Sequence, residues 1–262
     1  RINKYGLCLE EFTLNKNNAK VYYNRAVGKS AEMEVSKSLS LIVNKIIKKD
    51  DKVLDVGCAC GHFYRSLKKR IKKNFFYTGC DPYDIFLNLA KKAWQDDYNV
   101  NFAKGNIFNL PFKKNSYDIV FCSNVLLHLP EIYNPLKQLL KVTKKKLILR
   151  TVVYDVSYKI QLVYNNKWWK YTNVSPEKEF DKKGNPKSFS YFNIHSKDYL
   201  KAMIKKINPK SKVKFIKDNK FSKKNIISSQ KKEKRPLATR ILGNEQFSGC
   251  LMQPHSFVII NK

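Results

Sequence analysis

The sequence has 262 residues, 43% of them hydrophobic and 13% aromatic, which is enough apolar material for one sizeable core and far from the composition of a disordered chain. Its 52 basic and 21 acidic residues give a formal net charge of +31. This excess has two readings, an anionic partner or the lysine-rich composition of an AT-rich genome. No apolar run approaches the roughly 18 residues of a membrane span, so we expect no stable membrane association.

The first strong element is an amphipathic helix over residues 30–48. From residue 51 onward, apolar runs of strand length alternate with helical patterns. The predicted strands are 52–56, 75–80, 98–102, 117–122 and 146–150. The predicted helices between them are 62–71, 83–94 and 132–142. This alternation predicts an α/β fold with a parallel sheet and helices on both faces.

The second half of the chain departs from this rhythm. Residues 151–195 hold turn residues and aromatic side chains, which is typical of a functional lid. Residues 218–255 form a second irregular stretch between two further strands, 212–217 and 256–261. We expect one domain with N-terminal cap helices (1–50), a cofactor-binding core (51–150), a substrate lid (151–195) and a C-terminal part (196–262) with a basic insertion.

The six cysteines show no CxxC pair and no spacing of metal ligands. Three of them fall within or at the ends of predicted strands, where free thiols pack as small hydrophobic groups. We therefore expect a reduced, cytoplasmic protein. The sequence shows no cluster of hard ligands, so we expect no metal, and we expect a monomer or homodimer.

The stretch KVLDVGCACGHF (52–63) predicts a nucleotide site at the carboxyl edge of the sheet. Gly57 and Gly61 allow close approach of backbone to ligand, and the following helix points its N-terminus at the same place. Asp81 lies 20 residues beyond Gly61, just after the second strand, which suits hydrogen bonds to ribose hydroxyls.

Asp55 distinguishes between cofactors. A carboxylate at the end of the first strand would repel the pyrophosphate of a dinucleotide but attract an ammonium and a sulfonium. The spacing D-x-G-x-x-x-G also differs from the dinucleotide pattern G-x-G-x-x-G. The residues therefore favour S-adenosylmethionine as the ligand.

Four segments in order resemble the motifs of class I S-adenosylmethionine-dependent methyltransferases of the small-molecule type. They are VLDVGCACG, YTGCDPYDIFLNLAKK, GNIFNLPF and YDIVFCSNVLLHLP. Ala59 stands where the family usually has its central glycine, and Asn106 stands where an aspartate is common. The resemblance covers about residues 30–151, and it implies a seven-stranded, mostly parallel Rossmann-like sheet whose last strand is antiparallel.

The resemblance also implies which residues hold the cofactor. Asp81 would hold the ribose, Asn106 the adenine amine, and Tyr22, Tyr23 and Arg25 would belong to a flap over the methionine end. The full expected cofactor set is Tyr23, Arg25, Asp55, Gly57, Cys58, Gly61, Asp81, Pro82, Asn106, Ile107, Ser123 and Asn124.

Three residues are candidates for catalysis. His128, just beyond the fourth strand, has an intrinsic pKa suited to a general base, and packing beside the cofactor is its alternative role. His195 lies before a helix that Ser196 can cap, and a surface or capping-region role is its alternative. Arg150 ends the fifth strand, where it would clamp an anionic acceptor or form a structural ion pair.

The lid supplies the expected substrate contacts. They are Tyr154, Trp168, Trp169, Tyr191 and Asn193, for each of which packing under a loop is the alternative role. A methyl transfer needs an acceptor positioned in line with the sulfonium, and a base only if the acceptor must lose a proton.

Three functions follow from these features. The first is methyl transfer to a small, anionic acceptor such as a phosphorylated or nucleotide-linked glycan precursor, which would place the protein in polysaccharide biosynthesis. The second is RNA methylation, with docking through the basic run Lys212–Arg235. The third is cofactor binding without chemistry, which Ala59 and Asn106 keep open.

Overall fold

The computed structural model describes residues 16–163, 180–187, 189–233, 240–248 and 251–262. The helices are α1 (Lys16–Ala26), α2 (Glu34–Ile46), α3 (His62–Arg70), α4 (Asp84–Ala93), α5 (Tyr133–Val142), α6 (Lys197–Ile207) and α7 (Lys223–Glu233). A 3-10 turn, Leu126–His128, precedes α5.

The strands alternate with these helices as the sequence predicts. They are β1 (Asp51–Val56), β2 (Phe75–Asp81), β3 (Val100–Lys104), β4 (Tyr117–Ser123), β5 (Thr143–Tyr154), β6 (Gln161–Val163), β7 (Phe189–Tyr191), β8 (His195–Ser196), β9 (Lys212–Lys217), β10 (Arg240–Leu242), β11 (Glu245–Ser248) and β12 (Leu251–Asn261).

Seven of these strands form the central sheet in the order β3-β2-β1-β4-β5-β12-β9. Strands β1 to β5 run parallel, while β12 lies antiparallel between β5 and β9. This arrangement confirms the predicted Rossmann-like class with an antiparallel last strand. Because the five parallel strands point the same way, their carboxyl ends meet at one edge, here called the carboxyl edge.

Helices cover both faces of the sheet. On one face, α5 and α6 bury Leu136, Leu139 and Leu200 against the strands. On the other, α2 and α3 bury Leu39 and Leu67. The apolar residues recur at helical spacing, so each helix presents one hydrophobic stripe to the sheet. Ser196 caps α6 as expected, with its Oγ accepting a hydrogen bond of 3.1 Å from the Tyr199 N–H.

The structure corrects several predicted boundaries. Helix α2 begins at Glu34 instead of residue 30, and β5 extends past the predicted strand 146–150 at both ends. The stretch 218–255 is not wholly irregular, because it contains α7, β10, β11 and the start of β12. None of the described helices has the length and hydropathy needed to span a bilayer.

Candidate functional site

The turn after β1 is built on two glycines in the left-handed region, Gly57 at φ 83° and Gly61 at φ 71°. The N–H groups of Gly57 and Cys58 donate to the Cys80 carbonyl oxygen at 2.8 and 3.2 Å, which fastens the turn to the end of β2. A Cβ on Gly57 would lie 2.4 Å from Cγ2 of Val125, in the loop after β4. Gly57 is therefore required by both its backbone angle and its neighbour. Cys58 is fully buried, so its side chain belongs to the core and only its backbone faces the turn.

Ala59 occupies the same turn in a conformation that favours glycine, at φ 47°. Its N–H donates to Oδ2 of Asp81 at 2.9 Å, and its methyl group joins a buried cluster with Ala19, Cys60 and Phe86. The family's usual glycine is thus replaced by a residue that contacts helix α1. The hydrogen bond to Asp81 stabilises the unusual angle.

Asp81 joins the two cofactor loops. Its Oδ2 accepts from Ala59 and its Oδ1 accepts from the Tyr83 N–H at 3.1 Å. Burial raises the pKa of Asp81 to about 6, although the two backbone donors oppose that shift. Each carboxylate oxygen has a second lone pair, so these bonds leave acceptor capacity for ribose hydroxyls.

Asp55 does not have the open charge that its place at the end of β1 suggested. Its side chain is 1% exposed and lies on the face of β1 that packs under α3, where its Oδ2 accepts a 2.6 Å hydrogen bond from the Tyr77 hydroxyl. Burial, reinforced by the charge of Asp81, raises the pKa of Asp55 to about 8. The carboxyl group is therefore an interior group, and its repulsion of a pyrophosphate cannot be what selects the cofactor.

The loop expected to hold adenine closes over the end of β2. The Gly105 N–H donates to the Asp81 carbonyl oxygen at 3.2 Å, and Ile107 is buried beneath the loop. The Asn106 Oδ1 accepts from the Phe108 N–H at 3.0 Å, so the amide group turns the loop. Pro82 is half-buried between this loop and the start of α4.

Helix α1 lies over the glycine turn, where the flap was expected. Tyr22 packs on His62 with ring centroids 5.3 Å apart, and Arg25 lies 5.5 Å from the centre of the Tyr22 ring. Tyr23, on the same helix, is half-buried. Arg25 also lines a small cavity with His62 and Arg65.

Sequence reasoning missed His62 and Arg65. The Arg65 guanidinium donates to the carbonyl oxygens of Arg25 and Ser30, which ties α3 to the loop after α1. Burial, together with the positive charge of Arg25, lowers the pKa of His62 to about 3, so its imidazole is neutral at physiological pH. One feature of the sequence could have placed His62 near the site: it begins the helix that follows the glycine turn.

A buried polar network joins β5 to the ends of β4 and β9. Arg150 does not end β5 as predicted but lies within it, beside Ser123 at the end of β4. Arg150 is 3% exposed and pairs with Asp218, whose Oδ2 lies 2.8 Å from both Nε and Nη2 of the guanidinium. Nη1 of Arg150 donates to Oδ1 of Asn124 at 2.7 Å, and Asn124 is itself left-handed at φ 59°. Burial lowers the pKa of Arg150, while Asp218 opposes that shift.

This network corresponds to the structural ion pair that was the alternative to an anion clamp. Asp218 was not among the predicted site residues, because nothing in KVKFIKD shows which strand end it faces. Oδ1 of Asp218 and the hydroxyl of Ser123 are buried without a hydrogen-bond partner among the described residues.

His128 lies in the 3-10 turn after β4, next to the lid. Its Nδ1 is 2.9 Å from the Tyr191 carbonyl oxygen. A carbonyl oxygen only accepts, so Nδ1 carries the proton and the neutral ring keeps its lone pair on Nε2. Burial lowers the pKa of His128, and the Tyr191 hydrogen bond partly opposes this.

His195 pairs through its backbone with Val153 at the end of β5 and stacks on Tyr199 at 6.1 Å. Its side chain is 5% exposed, and its Nε2 is buried without a hydrogen-bond partner among the described residues. Burial lowers its pKa to about 4. His195 is therefore an interior residue of the lid base and not the surface residue that its alternative role assumed.

The lid residues occupy different environments. Tyr154 is 40% exposed at the end of β5, whereas Tyr191 is buried on β7. Asn193 is buried, and its Nδ2 donates to the Leu129 carbonyl oxygen at 2.6 Å while its Oδ1 accepts from the Ile160 N–H. Asn193 thus fastens the lid to the loop after β4. Trp168 and Trp169 lie outside the described residues.

Most of the predicted side chains and backbone groups come together at the carboxyl edge. The turn, Asp81 and the 105–107 loop lie over β1 and β2, while Ser123, Asn124, His128 and Arg150 lie over β4 and β5. The predicted cofactor contacts thus lie mainly on one half of the edge, here called the nucleoside half, and the predicted acceptor contacts on the other, here called the acceptor half. Ligands of open α/β sheets bind at this edge.

Comparisons with known proteins agree with this architecture. Residues 53–146 match a family model described as a methyltransferase domain. An uncharacterized protein of Methanocaldococcus jannaschii is 37% identical over 128 residues, which cover 48% of this chain and 52% of that protein. A demethylmenaquinone methyltransferase of Staphylococcus saprophyticus is 31% identical over 98 residues, covering 37% of this chain and 42% of that enzyme. The matches thus span about half or less of the length of these curated relatives.

A solved structure shares the fold more widely. Phosphoethanolamine N-methyltransferase 2 of Haemonchus contortus, in complex with S-adenosyl-L-methionine, covers 96% of this chain and 58% of its own with a TM-score of 0.59 and 15% identity. At that identity the likeness concerns the fold alone.

Together, the sheet order and the site define a class I S-adenosylmethionine-dependent methyltransferase fold. Residues 53–146 match the methyltransferase domain family, and the cofactor of that family is S-adenosylmethionine. The predicted family and cofactor are confirmed. The individual site residues stay predictions, placed by the structure as described above.

Proposed function

We propose that this protein transfers the methyl group of S-adenosylmethionine to a small acceptor bound over β4 and β5, beneath the lid. The observation that carries the proposal is the division of the carboxyl edge into the two halves described above. The nucleoside half has Asp81 with acceptor capacity beside the glycine turn, and the acceptor half has buried polar groups at the strand ends. In-line transfer needs the acceptor next to the sulfonium, at the junction of these halves.

The residues of this chain that would hold the cofactor fit it. Asp81 keeps acceptor capacity that the ribose hydroxyls can use, and we expect the loop at 105–107, which is bonded to the Asp81 carbonyl oxygen, to close the adenine side. When bound, S-adenosylmethionine supplies an electrophilic methyl group. The task left to the protein is then to orient the acceptor, exclude water and, for an acceptor that carries a proton, remove it.

His128 is our proposed general base. Its Nδ1 proton is committed to the Tyr191 carbonyl oxygen, so the basic nitrogen is Nε2. Because its pKa is lowered, His128 is unprotonated at neutral pH and becomes protonated, and thus inactive, only as the pH falls through that lowered value.

Whether the acceptor is an anion is a more specific part of the proposal. An anionic, phosphorylated or nucleotide-linked acceptor was expected to bind Arg150, but Asp218 already balances that cation. The pair can still offer hydrogen bonds to a polar acceptor through Asn124 and Ser123. An anionic glycan precursor thus stays a prediction, with its anion contacts to be sought in the lid.

Transfer of a labelled methyl group tests the function. Purified protein with methyl-labelled S-adenosylmethionine is incubated with a metabolite extract split into small-molecule and RNA fractions, and the label is expected in the small-molecule fraction. The Asp81→Ala variant, which loses the expected ribose contact, serves as the control and should transfer little. Label confined to RNA would overturn the small-acceptor proposal.

Replacing His128 with Gln tests the base. We expect kcat to fall by about 10²-fold or more and the acidic limb of the pH–rate profile to disappear, since the titrating group is gone. Adenosylhomocysteine affinity, measured by calorimetry, should hold. His195→Gln is the matched control, which should keep the acidic limb. If the acidic limb of the pH–rate profile is unchanged in His128→Gln, His128 is not the base and only packs beside the cofactor.

RNA methylation is a second candidate, and one contact favours it. The Ser222 N–H and Asn225 Nδ2 bind the Glu34 carboxylate at 2.9 and 3.0 Å, which holds the start of α7 beside the first turn of α2. Exposed Lys223 and Lys224 are then near the carboxyl edge. Label in the RNA fraction, reduced by replacing both lysines with Gln, would support it.

A further inference from the structure

The charge of the protein is not spread evenly over the sheet. The edge opposite the site, where the parallel strands begin, comprises residues 47–52, 71–75, 96–100, 113–118, 141–146, 208–212 and 261–262. We call it the lysine edge. It carries 14 lysines and five aspartates. The lysines are 48, 49, 52, 72, 73, 113, 114, 141, 144, 145, 146, 210, 212 and 262.

The carboxyl edge is nearly neutral by comparison. Residues 56–61, 81–83, 104–112, 123–132, 150–160 and 217–224 carry seven basic and four acidic residues. A lysine-rich genome would enrich both edges alike. The contrast therefore points to a function of the lysine edge that the composition alone does not explain.

Hydrogen bonds and ion pairs show that the lysine edge is one continuous surface. The Lys145 ammonium bonds Asp51 at the start of β1 and lies 2.9 Å from Asp118 near the start of β4. Nζ of Lys262 donates to Oδ1 of Asn115 and to the Thr143 carbonyl oxygen, which joins the segment after β12 to β5. Asp51 and Asp118 are thus already engaged by a lysine of the same edge, and most of the other lysines are exposed.

The lysine edge has a net positive charge, and it also carries amide groups and an aromatic ring that can stack on a base. Burial and the charge of nearby Lys114 lower the pKa of Lys262, as expected where cations crowd together. Asn99 donates to Asn74 across neighbouring loops, and Tyr98, which precedes Asn99 in the chain, is 100% exposed. A fully exposed ring on the same edge as the lysines and these amides offers a stacking platform for a base, and the residues that precede it in the chain are Asp96 and Asp97.

We propose that the lysine edge is a docking surface for single-stranded RNA, separate from the methyl-acceptor site. Lysine ammonium groups neutralise phosphates, and Tyr98 stacks on a base. Seven strands spaced about 4.8 Å apart make the edge about 29 Å wide, which is long enough to follow an extended strand. The six residues of β1 separate the two edges by about 20 Å, so RNA bound here is a docking partner and not the acceptor.

Single-stranded RNA fits this edge better than an anionic membrane does, because the edge offers little apolar surface to insert. Stable attachment to a bilayer surface requires an apolar face as well as cations. The described lysine edge instead combines ammonium groups with the amides of Asn74, Asn99 and Asn115.

Fluorescence anisotropy with a labelled 20-nucleotide oligouridylate tests the proposal. The edge variant replaces Lys48, Lys72, Lys113 and Lys141 with Gln, and all four are exposed. We expect wild-type affinity to fall steeply between 50 and 200 mM salt, and the edge variant to bind at least about tenfold more weakly. Its log–log slope against salt should be shallower by about 0.7 for each phosphate that is no longer neutralised.

A matched variant with the same change in charge separates the edge from the overall charge. It replaces exposed Lys20, Lys29, Lys182 and Lys197, which lie outside the lysine edge, and should change affinity by less than about threefold because salt screens distant charges. Equal losses in the two variants, or a flat salt dependence in the wild type, would overturn the proposal. Matching melting temperatures confirm that both variants fold.

Two further readouts decide the role of the bound strand. Saturating adenosylhomocysteine should leave RNA affinity unchanged, and competition between them would place the RNA at the active site and overturn separate docking. Edge-dependent capture by phosphatidylserine vesicles without oligouridylate binding would overturn RNA in favour of a membrane. Both readouts measure binding, so a failed methyl-transfer assay leaves this test intact.

Discussion

Gly57 illustrates how much one residue of the cofactor turn is constrained. It combines a left-handed backbone with the close approach of Val125 from the loop after β4. The turn after β1 is consequently packed against the acceptor half of the site, and its shape depends on both loops.

Replacing Gly57 with Ala should destabilise the protein by about 2–4 kcal/mol, because the Cβ adds a clash to an unfavourable φ. Urea denaturation measures the loss. Adding Val125→Ala should restore the part due to the clash but not the part due to φ. The Ala59→Gly variant, at the neighbouring left-handed position, is the control and should be nearly neutral. A Gly57→Ala variant as stable as the wild type would contradict the packing described here.

Asp55 gives a pH dependence with a definite sign. Its pKa is about 8 in the folded protein against an ordinary 3.8, so the folded state favours the protonated carboxyl. That contribution to stability is complete below about pH 4 and is lost as the pH rises toward 8.

The Asp55→Asn variant should not suffer that loss, since its side chain is neutral and can still accept from Tyr77. The free energy of unfolding of Asp55→Asn minus that of the wild type should therefore increase by up to about 1.4 kcal/mol per pH unit between pH 5 and 8. Parallel urea titrations at several pH values provide the measurement. A stability difference that stays constant with pH would show that Asp55 does not titrate in this range.

At this scale the turn and Asp81 could be located from the sequence, because strand, small-residue turn and helix are adjacent in the chain. Asp55 was misjudged, because the side of a strand on which a carboxyl is buried depends on packing between distant elements. Asp218 could not be identified from the sequence for the same reason, because its partner Arg150 is 68 positions away.

Among the elements, the Arg150–Asp218 pair connects β5 to the end of β9, and Asn124 extends the connection to β4. These strands belong to the acceptor half of the site. The pair therefore determines how rigidly that half is held.

Replacing Asp218 with Asn should cost about 3–5 kcal/mol, because it leaves the Arg150 charge buried without a counter-ion. The double variant Arg150→Met with Asp218→Leu should be more stable than Asp218→Asn, since no unpaired charge remains. Denaturation of the single and double variants tests this order. A double variant at least as unstable as the single one would show that the hydrogen bonds to Asn124 matter more than the charge.

Elements with strong periodicity were predicted well, including β1, β2, β4 and α3. The hairpin β10–β11 and helix α7 were not, because their segments are short and polar and gain their structure by pairing with β12 and by contacts to Glu34. Local sequence patterns do not indicate which distant segments will be in contact.

At the scale of the whole molecule, β12 closes the sheet. It pairs with β5 on one side and β9 on the other, and it supplies buried Phe257, Val258 and Ile260 to both faces of the core. The organisation as one domain stays a prediction, and the role of β12 is consistent with it.

Replacing Ile260 with Ala should destabilise the protein by about 2–5 kcal/mol, as expected for a cavity at a fully buried position. The adjacent Ile259 is only half-buried, so Ile259→Ala should cost about 1 kcal/mol and is the matched control. The midpoints of urea unfolding compare the two. Equal costs would mean that β12 packs less tightly than its burial indicates.

The position of β12 also has a consequence for how the chain is made. The strand that fills the gap between β5 and β9 is encoded after both of them, so during synthesis the nascent sheet must keep two unpaired neighbours apart until β12 arrives. An emerging chain with such exposed strand borders is open to incorrect pairing with other chains. The native strand order can therefore be completed only after β12 has been synthesised, later than the cofactor turn.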